Sequence, residues 1–68
     1  VTFKKWLLYF TEVKLPIGDL ARDVAMDKNF PDSNDYKNLI EYLEDHSAGD
    51  LQIDVFNRCW KFYKIEFP

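Results

Sequence analysis

Large aromatic side chains recur along this chain at helical spacing. Phe3-x-x-Trp6-Leu7-x-x-Phe10 stands near the start, Phe56-x-x-x-Trp60-x-x-Tyr63 near the end, and Phe30-Pro31 and Tyr42-Leu43 between them. Rings at i, i+3, i+4 and i+7 line one side of an α-helix, and a chain carrying several such sides must pack them against one another. Size makes this compulsory. An 8.2 kDa chain keeps roughly 4,500 Å² of surface when folded and buries only about 60% of what it exposes when extended. Its single cysteine, Cys59, rules out an internal disulfide. The aromatics, 18% of the residues, supply the core instead, because each buries a large area for few rotatable bonds.

The pattern predicts one all-α domain spanning residues 1–68, a four-helix bundle with room for a fifth, short turn helix. Thr2 caps a first helix that runs to about Phe10, with Lys4, Lys5, Leu8 and Tyr9 on its outer side. Pro16 biases Leu15 toward an extended conformation and closes the loop from Thr11. A second helix follows from about Ile17 to Lys28, with Ile17, Leu20, Ala21 and Val24 sharing a face. Pro31 stops it, and Phe30 turns its ring inward. Ser33 is the expected N-cap of a third helix to Asp45, with Tyr36, Leu39, Ile40 and Leu43 as its stripe. Gly49 offers a positive φ in the next turn. Asp50 or Asp54 then caps the last helix, whose inner face carries Val55, Phe56, Cys59, Trp60 and Tyr63. Asn57, Arg58, Lys61 and Lys64 face outward. The alternation in Tyr63–Phe67 suits a strand or a fraying helix end, and without a second strand to pair the helix is favoured.

Composition removes several functions. No apolar run approaches the ~18 residues of a membrane span, and the amphipathic start differs from a secretory leader. A cytoplasmic setting is expected. The net charge of −3 works against non-specific affinity for nucleic acid. His46, the only histidine, sits beside Glu44 and Asp45 in a polar turn, but adjacent positions rarely converge on one metal ion. Cys59 lies within an apolar stripe, where a thiol behaves as a small hydrophobe rather than a nucleophile. Asp19, Asp23 and Asp27 repeat along one helix face and read as a solvated surface. No enzymatic activity, metal or cofactor is expected.

Charge is unevenly spread. Residues 29–50 carry a net −5, residues 1–14 a net +2 and residues 51–68 a net +1. If the first and last helices lie side by side, Lys4, Lys5, Arg58, Lys61 and Lys64 make a basic side interleaved with Leu8 and Tyr9. These seven residues are the candidate binding residues. The reading that follows is a binding or adaptor module with a protein partner, as a monomer or in weak self-association through the acidic third helix and the basic side. The alternative is nucleic-acid binding through that basic side.

The chain also resembles the YozE family of small bacterial proteins with a sterile-alpha-motif-like fold. The resemblance is carried by Phe3…Trp6-Leu7…Phe10, Pro16…Gly18-Asp19-Leu20-Ala21…Asp23, Asp27…Phe30-Pro31, Tyr36, Tyr42-Leu43 and Phe56…Trp60…Tyr63. It implies a sterile-alpha-motif-like helical bundle of bacterial or phage origin and supplies no catalytic residues. Folds of this kind host both protein–protein and nucleic-acid binding.

Overall fold

The structure, a computed structural model, describes all 68 residues. Four α-helices follow one another: α1 (Phe3–Leu7), α2 (Pro16–Met26), α3 (Tyr36–Asp45) and α4 (Asp50–Glu66). A 3₁₀ turn, Leu8–Phe10, continues α1. There is no β-strand. The Cα radius of gyration, 10.8 Å, equals the roughly 11 Å expected of a close-packed chain of this length. The solvent-accessible surface is 4,711 Å².

The caps explain where the helices begin and end. Thr2 Oγ1 accepts from the Lys5 amide at 3.3 Å and donates to Asp32, so one hydroxyl starts α1 and ties it to the loop before α3. Leu15 is extended (φ −139°, ψ 168°) and Pro16 is the first residue of α2, where its missing N–H leaves nothing unsatisfied. Ser33 does not cap α3. Its Oγ accepts from the Asp35 amide at 3.0 Å, and Asp35 is the N-cap, accepting from Lys37 N at 3.2 Å. The signal sits two residues further along because Ser33 closes a local turn that delivers Asp35.

The α3–α4 turn corrects a second expectation. Gly49 has φ −73° and is itself the N-cap of α4, while Asp50 is already helical and Asp54 lies a turn inside. The positive φ belongs to Ser47, at 61°. Ala48 N donates to Leu43 O at 3.0 Å and Ser47 N to Glu44 O at 3.2 Å, the paired bonds that close a helix through a left-handed residue.

One core holds the helices together: Phe3, Trp6, Leu7, Leu20, Ala21, Val24, Phe30, Leu39, Leu43, Phe56, Cys59 and Tyr63. Phe3 is its hub, with ring centroids 5.3–5.7 Å from those of Trp6, Phe56, Trp60 and Tyr63. Two of these pairs are edge-on, the arrangement the ring quadrupole favours. Phe30 is buried as expected and meets Tyr42 edge-on at 5.5 Å. Phe10, Ile40 and Trp60 are only partly buried. Tyr36 is a correction: it is 37% exposed, stacking on Phe56 from outside while its hydroxyl donates to Asn57.

Asn34 joins three segments. Its Oδ1 accepts from the Phe3 amide at 3.0 Å and from the Tyr63 hydroxyl at 2.7 Å. The Tyr63 hydroxyl also lies against the Val1 carbonyl.

Candidate functional site

The two helices that carry the candidate binding residues adjoin: the Phe3 and Trp6 rings of α1 pack against Trp60 and Tyr63 of α4, with centroids 5.5 and 5.6 Å apart. Leu8 is half-buried against the core rather than turned outward, whereas Tyr9 is exposed. Lys4 leans toward the α2–α3 loop, where its ammonium donates to the Phe30 carbonyl at 3.3 Å. Arg58 pairs with Asp54 one turn back at 3.1 Å. The Lys64 ammonium lies 5.8 Å from the Trp60 ring centroid and 5.9 Å from that of Tyr63. Lys5 and Lys61 are exposed and make no ion pair. On α4, positions 58, 61 and 64 are spread over roughly 120°.

A different face of α4 carries the more coherent surface. At roughly 100° per residue, Leu51, Val55, Arg58, Phe62 and Ile65 fall within about 80° of one another. Leu51 is 78% exposed, Phe62 62% and Ile65 77%. The buried side chains Phe56, Cys59 and Tyr63 point about a third of a turn away. So α4 has three sides: a core side, a polar side with Lys61 and Lys64, and an apolar side in water. Soluble domains scatter single exposed hydrophobes freely, whereas aligned ones along one helix side are less common.

The amino-terminal half of this row borders a groove between α2 and α4 of about 370 Å³, lined by Pro16, Leu20, Leu51 and Val55 with Asp19 and Asp23 at its rim. Asp19 is tied to Arg22, whose guanidinium also holds the Thr11 and Val13 carbonyls at 2.7 and 3.2 Å. That clamp fixes the loop leading into α2.

A smaller recess of about 130 Å³ lies between the end of α2 and the α3–α4 turn, lined by Asp23, Asp27, Phe30, Tyr42 and His46 among others. The Tyr42 hydroxyl donates to Asp27 Oδ2 at 2.6 Å, and the Asn29 amide donates to Oδ1 at 3.0 Å. These bonds hold the Asp27 carboxyl below its ordinary range and push the Tyr42 phenol up to about 12. His46 is the C-cap residue of α3. Its ring stacks on Tyr42 with centroids 3.9 Å apart, and its Nδ1 lies 2.8 Å from the Tyr42 carbonyl. Its sequence neighbours Glu44 and Asp45 do not gather around it. No three His, Cys, Asp or Glu side chains converge as metal ligands. Cys59 is buried, and desolvation pushes its thiol up to about 11.

The α4 row was present in the sequence as Leu51, Phe62 and Ile65 but masked, because the same helix also carries apolar residues on its core side. The recess combines residues from α2 and α3 that no local spacing links.

A short α1 with its 3₁₀ turn, an α2 that opens on Pro16, a capped α3, and a long closing α4 around an aromatic hub define a sterile-alpha-motif-like helical module. The family model described as YozE SAM-like fold matches residues 2–65, and the chain belongs to that family. No curated protein and no solved structure matches it. No helix is long and apolar enough to cross a membrane.

Proposed function

We propose that this domain is a protein-interaction module without chemistry of its own, and that its working surface is the outer side of α4 with the adjoining α2–α4 groove. The observation that carries the reading is the exposed row Leu51, Phe62 and Ile65. Twelve other apolar side chains on this chain are buried in one core, so the chain has the means to hide hydrophobes and leaves these in water. Such a row flanked by charge suits a partner's apolar side chains with a polar rim around them. Catalysis finds less support, since the thiol of Cys59 is buried and held protonated and a nucleophile needs access and a base.

Capture from bacterial extract, split into nuclease-treated and untreated halves, tests the reading. The tagged domain is expected to retain a protein after nuclease, and Phe62→Ser is expected to lose it while keeping native circular dichroism. The nucleic-acid alternative through Lys4, Lys5, Arg58, Lys61 and Lys64 predicts the reverse: capture that vanishes with nuclease, survives Phe62→Ser, and has a salt slope that falls by about one when Lys61 is replaced.

A further inference from the structure

We infer that the partner of the α4 surface is a second copy of this chain: two α4 helices pair antiparallel, and Phe62 of each enters the α2–α4 groove of the other. This rests on the reading of that face as a protein-binding surface and names its occupant. It is a different pairing from one between the acidic α3 and the basic helices.

The two ends of the face are equidistant from Arg58. Leu51 and Ile65 stand seven residues before and after it, and Asp54 and Phe62 four before and after. A two-fold axis at Arg58 therefore sets Leu51 of one copy against Ile65 of its partner. It also brings Phe62 over the turn that carries Leu51, Asp54 and Val55. The shapes agree, because the groove lies on the amino-terminal half of the face and the protruding ring on the carboxy-terminal half. A patch that carries both knob and hole closes on itself as an isologous dimer.

Charge selects the direction. Asp50 and Asp54 occupy the first half of α4 and Lys61 and Lys64 the second. Antiparallel pairing sets acid beside base, whereas parallel pairing sets like beside like. Opposed helix macrodipoles favour the same direction. Each Arg58 already holds its own Asp54 at 3.1 Å, so the axis gathers two ion pairs rather than two bare cations. Glu66 is the exception in the basic half, and it accepts from Trp6 Nε1 at 3.2 Å.

A helix of 17 residues is about 25 Å long, and one such crossing with its groove falls below the ~800 Å² per partner of a standard interface. An interface of that size belongs with the weak, transient associations, so the dimer is expected to form only toward the upper end of a micromolar-to-millimolar range.

Sedimentation equilibrium from about 10 μM to 1 mM, read with site-directed cross-linking, tests this. Cys59 is buried and does not compete with introduced thiols. A mixture of Leu51→Cys and Ile65→Cys chains is expected to form the mixed disulfide dimer. Leu51→Cys alone is not, since its two copies would lie about 21 Å apart along the pair. Phe62→Glu is expected to raise the dissociation constant about tenfold or more with an unchanged circular-dichroism spectrum. Cross-linking of Leu51→Cys to itself overturns the antiparallel register. A monomer at 1 mM overturns self-pairing. In that case, extract capture still lost with Phe62→Ser retains the protein-interaction reading, and capture unaffected by it overturns both.

Discussion

Gly18 lies where α2 crosses the loop that precedes it, and replacing it with alanine perturbs that crossing alone. A Cβ built there would sit 1.7 Å from the Val13 carbonyl oxygen, 2.7 Å from its carbon and 3.2 Å from the Phe10 oxygen. Real Cβ atoms essentially never approach closer than 3.0 Å, so loop and helix must separate by at least about 1.3 Å, an overpacking that costs about 1–3 kcal/mol. The loop cannot retreat freely, because Arg22 grips the Thr11 and Val13 carbonyls; losing such bonds adds about 0.5–1.5 kcal/mol each. Against this, alanine in place of glycine favours the helix by about 1 kcal/mol. With one of those two bonds lost, the net expectation is a loss of about 0.5–3.5 kcal/mol, a large part of the roughly 3–10 kcal/mol available to a domain this size. The midpoint should fall by about 5–20 °C, read by circular dichroism at 222 nm. On an Arg22→Ala background the loop is free to move, and Gly18→Ala should cost less there, a non-additivity that a double-mutant cycle measures. A Gly18→Ala chain as stable as the parent, or more stable in line with helix propensity, would refute the close approach.

Ser47→Gly is expected to stabilise by about 1 kcal/mol, since Ser47 holds φ 61° and a left-handed conformation costs a residue with a Cβ roughly that much; urea denaturation reads it. Asn34→Ala leaves the Phe3 amide without its acceptor and removes one acceptor of the Tyr63 hydroxyl, and is expected to cost about 1–3 kcal/mol and to loosen the amino-terminal segment in hydrogen exchange. The Asp27–Tyr42 bond predicts two pH slopes: Tyr42→Phe removes the alkaline one and weakens the acid one, to which the Asn29 amide also contributes. Asp27 titrates below its ordinary 3.8 in the fold, so its contribution is present above that value and fades as pH falls through the lowered folded value. Tyr42 titrates near 12 rather than 10, so its contribution is present below pH 10 and fades as pH rises toward 12. Thermal midpoints of both chains across pH 2–12 check the difference.

Much of the fold can be read from spacing. Phe3, Trp6 and Leu7 are buried because i, i+3, i+4 periodicity and a Thr2 cap leave one orientation for the helix, and Pro16 marks the start of α2 by its own chemistry. What spacing misreads is local competition between hydrogen bonds. Ser33 has the side chain of an N-cap but uses it two residues early. Gly49 has the freedom for a positive φ, but the two bonds that end α3 come from the Ser47 and Ala48 amides, and turning both back onto the last carbonyls puts the left-handed residue at Ser47. Tyr36 shares the stripe of Leu39 and Leu43 yet lies at the first turn of α3, beyond the edge of the core.

The proposed surface is harder to read for a related reason. Helical periodicity separates an inner from an outer side, and α4 has a third. Leu51, Phe62 and Ile65 lie between the core side and the polar side, and only the packing tells which apolar residues lack a neighbour. The basic side was legible as five cations on two helices. Spacing did not show that two of the five are engaged, Lys4 with the Phe30 carbonyl and Arg58 with Asp54 one turn back.

The most direct test of the α4 surface is amide chemical-shift mapping of the ¹⁵N-labelled domain, over a dilution series and with nuclease-treated extract. Shifts concentrated at Leu51, Val55, Arg58, Phe62 and Ile65 and at the Asp19–Asp23 rim are the predicted result. Shifts confined to Lys5 and Lys64, or to Asp27, Tyr42 and His46, with the outer side of α4 unmoved, would contradict it.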